Sequence, residues 1–339
     1  MTVDLSPWVS AVPDAVVDAL STARDVLVVS HENPDADTLG ASLAIALLVE
    51  SRGGRASSIC TDPPPELYAF MPGIDRVRTD PDPERRYDLL VMVDCGSLDR
   101  VGAVRHRHRA LFAAVPTVVI DHHVSNEGGG TTDWIDPGAA ATCEMVTLLA
   151  TRMAVPLTAG EGSLAEALMA GIVMDTATFA HPNATPRTLS VAAALVEAGA
   201  PLSEISRRLY RSKPDSQLRL FGRVLHRLEA VDAGRVVWST LTDADLVATG
   251  SAAAHSEGII DLLSQADQAE VTIVFKEQGS ATRISVRTKS GGVDATVLTG
   301  TFGGGGHARA AGATIPLPMA EAQEAVLQVA RRLAAAVDR

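Results

Sequence analysis

The sequence predicts an α/β fold, with a doubly wound, mostly parallel sheet domain, a helical linker and a smaller α/β C-terminal domain. Short apolar runs rich in β-branched residues alternate with helical patterns in the first half of the chain, as in parallel sheets covered by helices on both faces. Residues 186–228 are nearly all helix formers, and strand patterns return after them. Because 339 residues exceed what one core usually supports, we predict domains at 1–185 and 229–339, joined by a linker over 186–228.

In the first domain, each predicted strand is a short apolar run and each predicted helix a longer stretch of helical pattern. The first strand holds three valines, and a polar loop separates it from the next helix. The second strand is weaker and precedes the stiff connector Asp62-Pro63-Pro64-Pro65. We predict helices over 13–23, 41–49, 139–152 and 163–173, and strands over 26–29, 59–60, 87–93 and 116–120.

The second domain shows the same alternation on a smaller scale. Runs rich in valine and isoleucine predict strands over 235–240, 270–275 and 283–287, with helices between them. A glycine-rich stretch at 301–307 precedes a strand over 313–315 and a C-terminal helix. These segments are sufficient for a second, smaller α/β domain.

The composition is that of an ordinary globular protein, with 46% hydrophobic and 21% charged residues. A net charge of -12 argues against the broad basic face that attracts duplex nucleic acid. Cys60, Cys95 and Cys143 form no Cys-x-x-Cys pair, which favours free thiols in a reducing compartment. No apolar run approaches the length of a membrane span, so we expect a cytoplasmic protein without a membrane or long duplex partner.

The most informative stretch is the loop after the first predicted strand, which carries His31, Asp35 and Asp37. Ligands of open α/β sheets bind at the carboxyl ends of the strands, where such loops lie. Taken alone, these aspartates fit a helix N-cap better, and a single histidine fits a core or surface role. The functional interpretation gains weight because polar groups recur at the ends of later elements, namely Asp94, Asp121, His122, His123 and Asp175.

Five aspartates and three histidines on one rim would be unfavourable unless cations neutralised them. Carboxylate and imidazole ligands without thiolate suit Mn²⁺, with Mg²⁺ or Co²⁺ as alternatives. The set is too large for one ion and suits two, held about 3.5 to 4 Å apart with a bridging carboxylate. Because such a pair activates water for attack on phosphorus, we predict phosphoester hydrolysis.

These motifs also resemble a known family. The blocks Asp35-Ala36-Asp37, Asp94, Asp121-His122-His123 and Asp175-Thr176 resemble the four motifs of the DHH phosphoesterases, and residues 303–307 resemble the glycine-rich motif of the DHH-associated C-terminal domain. The length is similar to that of NrnA-type members, which degrade very short oligonucleotides and dephosphorylate phosphoadenosine phosphate. Actinobacterial members of that type are implicated in cyclic di-AMP turnover. Ala36 and Ala177 depart from the pattern, since glycine is common at both positions in the family.

The resemblance implies a role for each residue of the rim. The implied metal ligands are His31 and Asp35 for one ion, Asp37, His122 and Asp175 for the other, and Asp94 for both. His123 would face the scissile phosphate, where an imidazole can donate to developing negative charge. Asp121 would orient a neighbouring histidine. A homodimer is also implied by the resemblance alone.

The C-terminal domain supplies candidate substrate-binding residues. Four consecutive glycines before His307 lose much conformational freedom on folding, which indicates close approach to a phosphate or base, although a flexible loop fits equally well. By the resemblance, Ser285 and Arg287 contact substrate, and arginine suits a terminal phosphate. Arg283 lies on the same strand face by alternation, where a solvated role is an equal alternative. The candidates are Arg283, Ser285, Arg287, Gly304, Gly305, Gly306 and His307.

We therefore expect a two-metal phosphodiesterase and phosphatase with its site in an interdomain cleft. Its substrates would be short oligoribonucleotides, pApA and phosphoadenosine phosphate, with cyclic di-AMP as a further candidate. Two alternatives stay open. A RecJ-like single-strand exonuclease would usually need an additional binding domain, and a cyclic dinucleotide sensor would not need a complete set of metal ligands.

Overall fold

The computed structural model describes residues 3–289 and 291–337. The chain divides into two compact units, an N-terminal unit that ends at Ser212 and a C-terminal unit that begins at Lys213. Each unit has its own sheet and its own buried hydrophobic clusters. The predicted fold class is confirmed.

The N-terminal unit is built on a five-stranded sheet in the order β2-β1-β3-β4-β5, in which every neighbouring pair is parallel. The central strands are buried along their whole length, which explains their uninterrupted apolar sequences. The carboxyl ends of β1, β3 and β4 therefore meet at one edge of the sheet. The strands are β1 (Asp25–Val29), β2 (Arg55–Ile59), β3 (Leu89–Val93), β4 (Thr117–Asp121) and β5 (Thr132–Ile135).

Helices cover both faces of this sheet. Val26 and Val28 contribute to the larger core, whereas Leu27 and Val29 contribute to a smaller core on the opposite face. Successive residues of a strand point to opposite faces, so the single run 26–29 serves both layers. The helices are α1 (Ser6–Val9), α2 (Asp14–Thr22), α3 (Ala36–Ser51), α4 (Ala103–Arg107), α5 (Arg109–Ala114), α6 (Thr142–Arg152), α7 (Ser163–Asp175), α8 (Pro186–Glu197) and α9 (Leu202–Tyr210).

The two edge strands were the hardest to predict. The strand β2 begins at Arg55, four residues before the predicted start at 59. The prediction was too short because the polar residues Ser57 and Ser58 obscured the apolar pattern of the strand. The strand β5 was missed, since the sequence Thr-Asp-Trp-Ile lacks an apolar run. Edge strands pack on fewer neighbours than central strands and tolerate such polar residues.

The C-terminal unit is a six-stranded mixed sheet in the order β10-β11-β9-β8-β7-β6, in which only β7 and β8 pair in parallel. Its strands are β6 (Glu229–Val231), β7 (Val236–Leu241), β8 (Val271–Gln278), β9 (Ala281–Thr288), β10 (Gly305–His307) and β11 (Ala310–Ile315). Its helices are α10 (Asp215–His226), α11 (Asp243–Thr249), α12 (Ile259–Leu263), α13 (Ala295–Gly300) and α14 (Met319–Val337). The short strand β6 was not predicted.

In the described part of the chain, none of the helices taken singly has the length and apolar character to cross a bilayer. The sharply bent pair α8 and α9 reaches that threshold jointly, by length and composition.

Candidate metal centre

The loop after β1 is fixed to the end of β3 by Thr38. Its hydroxyl donates to the carbonyl of Val93 at 3.1 Å and accepts from the backbone N–H of His31 at 3.3 Å. Asp94 follows Val93 directly, so this one buried side chain sets the spacing between the two loops. The sequence analysis did not single out Thr38.

Asp35 serves two roles with its two carboxylate oxygens. Oδ1 accepts from the backbone N–H groups of Asp37 and Thr38, at 3.0 and 3.1 Å, and so caps helix α3. Oδ2 lies 3.8 Å from Nε2 of His31. The capping and ligand interpretations, which were alternatives in the sequence, are therefore both compatible with the geometry.

Asp37 of helix α3 is fully buried, and its carboxylate lies at the N-terminus of helix α6. Its two oxygens accept from the backbone N–H groups of Thr142 at 2.6 Å and Cys143 at 2.9 Å. A helix N-terminus favours a carboxylate through its unpaired N–H groups and its dipole. Each oxygen keeps a further lone pair for another partner.

The position of Asp37 depends on close packing between helices α3 and α7. A Cβ added at Gly171 of α7 would lie 2.4 Å from Oδ1 of Asp37 and from Sγ of Cys143. A Cβ added at Gly40 of α3 would lie 2.4 Å from the carbonyl oxygen of Ala167. Two glycines on facing helices therefore permit the approach that brings Asp37 to the rim of the sheet.

Asp94 lies at the centre of the cluster. One oxygen, Oδ2, is 3.6 Å from Nε2 of His31, and the other, Oδ1, is 3.4 Å from Nε2 of His122. The hydroxyl of Thr142 donates to Oδ1 at 3.0 Å. The residue has φ of 59°, a left-handed conformation that aspartate tolerates better than most residues. This turn aims the carboxylate between the two histidines.

Both histidines present Nε2 to the carboxylates, because Nδ1 of each faces a backbone carbonyl. Nδ1 of His31 is 2.7 Å from the oxygen of Glu32, and Nδ1 of His122 is 3.3 Å from the oxygen of Ala139. With the proton on Nδ1, the lone pair of Nε2 is free to bind a cation.

Asp121 and His123 form a pair at the edge of this cluster, where Nδ1 of His123 is also 3.5 Å from Oδ1 of Asp94. Nδ1 of His123 lies 2.7 Å from Oδ1 of Asp121, which is fully buried and also accepts from the backbone N–H of Gly96 and the side chain of Asn126. Burial raises the pKa of Asp121, but the hydrogen bonds from His123 and Asn126 outweigh it and lower the pKa below its usual value. His123 is thus held in one orientation, with 28% of its side chain exposed.

Asp175 is the last residue of helix α7, not the end of a strand. Its Oδ2 is 3.2 Å from Nε2 of His122. The C-terminus of a helix carries partial negative charge, which disfavours a carboxylate and favours a cation. The next turn is unusual because Ala177, Thr178 and Phe179 all have positive φ, between 47° and 64°.

The variant Ala177→Gly is expected to raise the free energy of unfolding by about 0.5 to 1 kcal/mol, because glycine adopts φ of 47° without a Cβ clash. Urea unfolding measures the change. Ala180→Gly is the control, since Ala180 is exposed and is not among the positive-φ residues, so that glycine there should destabilise. Equal destabilisation by both variants would contradict the argument.

Without bound cations, the histidines of the cluster retain their protons. Burial works against the charged ring of His31, but hydrogen bonds to Asp35 and Asp94 outweigh it and raise its pKa to about 10. Burial is likewise overcome at His122, where hydrogen bonds to Asp175 and Asp94 raise the pKa to about 12. The carboxylates therefore attract positive charge strongly.

The aspartates differ in their response to the same surroundings. Burial and the charge of Asp94 raise the pKa of Asp37 well above its usual value. Burial also raises the pKa of Asp175, to about 6, although His122 opposes this shift. Burial disfavours the charged form of Asp94 too, but hydrogen bonds from His122 and His31 hold its pKa below the usual range. The raised pKa values of Asp37 and Asp175 reflect burial and repulsion among the carboxylates, both of which a bound cation would offset.

The donor atoms fit divalent cations. Three sets each bring one oxygen or nitrogen per residue within 4.8 Å of the others, and none includes a thiol. The nitrogen–oxygen separations of 3.2 to 3.8 Å also suit neighbouring ligands on one small cation at about 2.1 Å. The sets are His31, Asp35 and Asp94; Asp37, His122 and Asp175; and Asp94, His122 and His123.

The predicted residues of the C-terminal unit lie on neighbouring strands. Ser285 of β9 pairs with Gly312, which pairs with Gly305, and Arg287 pairs with Ala310, which pairs with His307. The remaining candidate of β9, Arg283, is exposed and pairs with Thr314. Nε of Arg287 donates to Asp261 at 2.8 Å. The structure thus brings these side chains to one face of the sheet.

Lys276 is a further cation on that face and was missed in the sequence. It pairs with Arg283 across β8 and β9, and its Nζ donates to the hydroxyl of Ser256 at 2.9 Å. Burial lowers the pKa of Lys276, and Arg283 and Arg287 lower it further. Lysine is rare in this chain, with Lys213, Lys276 and Lys289 the only three, and that rarity was the available signal.

The glycine-rich motif is explained in part by the fold itself. A Cβ at Gly304 would lie 2.2 Å from the carbonyl oxygen of Gly312, and one at Gly306 would lie 2.6 Å from that of Ala310. These two glycines allow strand β11 to approach. A Cβ at Gly305 would meet no atom within 4 Å, so the space beside it is open.

The comparisons with known proteins agree with this architecture. Residues 25–172 match the model of the DHH family, N-terminal domain, and residues 240–336 match the DHHA1 domain. The bifunctional oligoribonuclease and PAP phosphatase NrnA of Thermus thermophilus is 30% identical over 90% of this chain and 89% of that protein. The enzyme of the same name from Bacillus subtilis is 24% identical over 88% and 92%.

A solved structure supports the fold independently. The crystal structure of an exopolyphosphatase-related protein from Bacteroides fragilis superposes with a TM-score of 0.87, at 22% identity, over 97% of this chain and 98% of that one. At that identity the likeness concerns the fold alone. Together, the two domain matches and the Thermus thermophilus relative show that this chain belongs to the DHH family.

Proposed function

We propose that the protein is a two-metal phosphoesterase that hydrolyses short oligoribonucleotides and pApA to 5′-mononucleotides. It would also remove one phosphate from phosphoadenosine phosphate to give AMP. The observation that carries the proposal is that Asp94 lies between two groups of candidate ligands. One group contains His31 and Asp35, and the other contains Asp37, His122 and Asp175. The names of the Thermus thermophilus and Bacillus subtilis relatives support the substrate class and a hydrolase.

The metal ions would be held by the residues named above, with Mn²⁺ preferred for a carboxylate and imidazole set. When bound, such a pair lowers the pKa of water and stabilises charge that develops at phosphorus. The protein's own groups orient the phosphate. Since Nδ1–H of His123 donates to Asp121, a protonated His123 ring would have Nε2–H left to donate to a phosphate oxygen.

The C-terminal unit would bind the rest of the substrate. Ser285 and Arg287 of β9 lie on the same sheet face as Gly305 and His307 of β10, with Gly312 and Ala310 of β11 between them, so hydroxyl, guanidinium and imidazole donors share that face. Such a group of donors suits a terminal phosphate. With a net charge of -12, the protein offers little attraction for long strands, which supports short substrates.

The experiment that tests the proposal incubates the protein with Mn²⁺ or Mg²⁺ and with pApA, phosphoadenosine phosphate or cyclic di-AMP in a parallel panel. We expect release of AMP from pApA and phosphoadenosine phosphate with Mn²⁺, and we include cyclic di-AMP as a further proposed substrate. Tight binding of cyclic di-AMP without turnover of any substrate would favour a sensor and contradict the proposal.

The variant Arg287→Ala is expected to lower kcat/KM for pApA by about tenfold or more, because a charged hydrogen bond to the terminal phosphate is lost. Hydrolysis of bis(p-nitrophenyl) phosphate, which has no terminal phosphate, should change little. Steady-state kinetics on both substrates measures the difference. Arg309→Ala is the matched control, since Arg309 donates to backbone carbonyls of its own unit. Equal losses on the two substrates would place Arg287 elsewhere.

A further inference from the structure

Arg100 is a cation at the edge of the metal centre that neither the sequence motifs nor the ligand sets include. It lies in the turn Leu98–Val101, six residues after Asp94. Its carbonyl accepts from the backbone N–H of Glu32 at 2.7 Å, which ties this turn to the loop of His31. The backbone at Arg100 is therefore anchored beside the candidate ligands.

The side chain of Arg100 lies close to two functional histidines. Its Nη2 is 3.1 Å from Nδ1 of His31. A Cβ added at Gly96 would lie 3.6 Å from Nη1 of Arg100 and 3.5 Å from Cγ of His123. Arg100 and His123 therefore both border Gly96.

The contact with His31 does not satisfy the guanidinium. Nδ1 of His31 is 2.7 Å from the carbonyl oxygen of Glu32, so it must carry the proton if it is to hydrogen-bond there. A protonated Nδ1 cannot accept from Arg100, whose guanidinium has donors only. The two N–H groups then face each other.

Arg100 also lacks a carboxylate partner. Over residues 3–289 and 291–337, no ion pair joins it to an aspartate or glutamate, although it is only partly exposed and aspartates line the neighbouring cluster. By contrast, the nearby Arg105 donates to Asp99 at 3.2 Å. An unpaired guanidinium beside a candidate cation site is unfavourable by charge repulsion unless an anion joins the two. A phosphate oxygen is such an anion.

We propose that Arg100 is a catalytic residue that binds a non-bridging oxygen of the scissile phosphate, alongside His123. This inference rests on the proposed phosphoesterase function and adds a donor to it. The two parallel N–H donors of a planar guanidinium match the spacing of two phosphate oxygens. Its positive charge stabilises the negative charge that accumulates on the phosphoryl oxygens during hydrolysis. Arg100 then differs from Arg287, which would bind the terminal phosphate.

The test uses the full-length protein with Mn²⁺ and two substrates, pApA and bis(p-nitrophenyl) phosphate. Arg100→Gln should lower kcat/KM on both by about 100-fold, because both contain the scissile phosphodiester. Arg100→Lys should recover part of the loss, since it keeps the charge without the two parallel donors. Arg105→Gln is the matched control and should leave both rates unchanged. The affinity for Mn²⁺, measured by competition with a chelating dye, should stay within about twofold in every variant.

Two results would overturn the inference. The first is that Arg100→Gln has the kcat/KM of the wild type on both substrates. The second is that its loss of kcat/KM follows a fall in Mn²⁺ affinity and vanishes at saturating Mn²⁺, which would make Arg100 a positioning residue for His31. A wild-type protein that hydrolyses neither substrate contradicts the proposed function instead. In that case, calorimetry of pApA binding tests the role of Arg100. Arg100→Gln should lower the affinity for pApA about tenfold, and an unchanged affinity would overturn the inference.

Discussion

We expect Asp94→Asn to lower kcat for pApA by roughly a thousandfold and to leave the fold intact. Within residues 3–289 and 291–337, Asp94 is the carboxylate that lies within 4 Å of both His31 and His122, so the amide removes a charge shared by both candidate ion sites. Asparagine also tolerates a φ of 59°, so the left-handed turn can persist where alanine would add strain. Steady-state kinetics and the number of Mn²⁺ ions bound per chain measure the two effects.

The control for this variant is Asp99→Asn, in the same loop. Asp99 is exposed and forms an ion pair with Arg105, so the loss of its charge should change kcat by less than about twofold. Circular dichroism checks whether both variants fold. Near-normal turnover by Asp94→Asn at saturating Mn²⁺ would remove the basis for a shared carboxylate.

Gly171→Ala is expected to lower the free energy of unfolding by about 2 to 3 kcal/mol and to weaken Mn²⁺ binding. The new methyl group would overlap Oδ1 of Asp37 and Sγ of Cys143, so helices α3 and α7 must separate or Asp37 must turn away. Urea unfolding without metal measures the first effect, and dye competition for Mn²⁺ measures the second.

Gly222→Ala is the matched control for this substitution. Gly222 lies in helix α10, is exposed, and a Cβ there would meet no atom within 4 Å. Alanine should therefore stabilise that helix by about 0.5 to 1 kcal/mol through propensity. If Gly171→Ala were also neutral or stabilising, the close helix approach would not determine the position of Asp37.

The sequence indicates which residues lie at the rim because the pattern that marks them is local. Each of Asp94 and Asp121 ends an apolar run, and parallel strands carry their ends to one edge. The separate roles of Asp35 and Asp37 were implied by the family resemblance, not by the strand ends. In the structure their carboxylates belong to different ligand sets. Those roles stay a proposal until metals are observed.

Other features could not be predicted because they depend on contacts between distant segments. Thr142 lies 48 residues from Asp94, to which it donates, and nothing in its neighbourhood along the chain indicates that partner. Gly171 resembles any small helical residue until α3 is packed against α7. Arg100 lies in a charged stretch that resembles a solvated surface, and its significance depends on the position of His31.

The most direct test of the two-metal claim is anomalous diffraction from crystals of the protein grown with Mn²⁺. The account predicts two Mn²⁺ peaks, one bound by His31 and Asp35, the other by Asp37, His122 and Asp175, with Asp94 contacting both. A single peak, or two peaks that do not share Asp94, would contradict it.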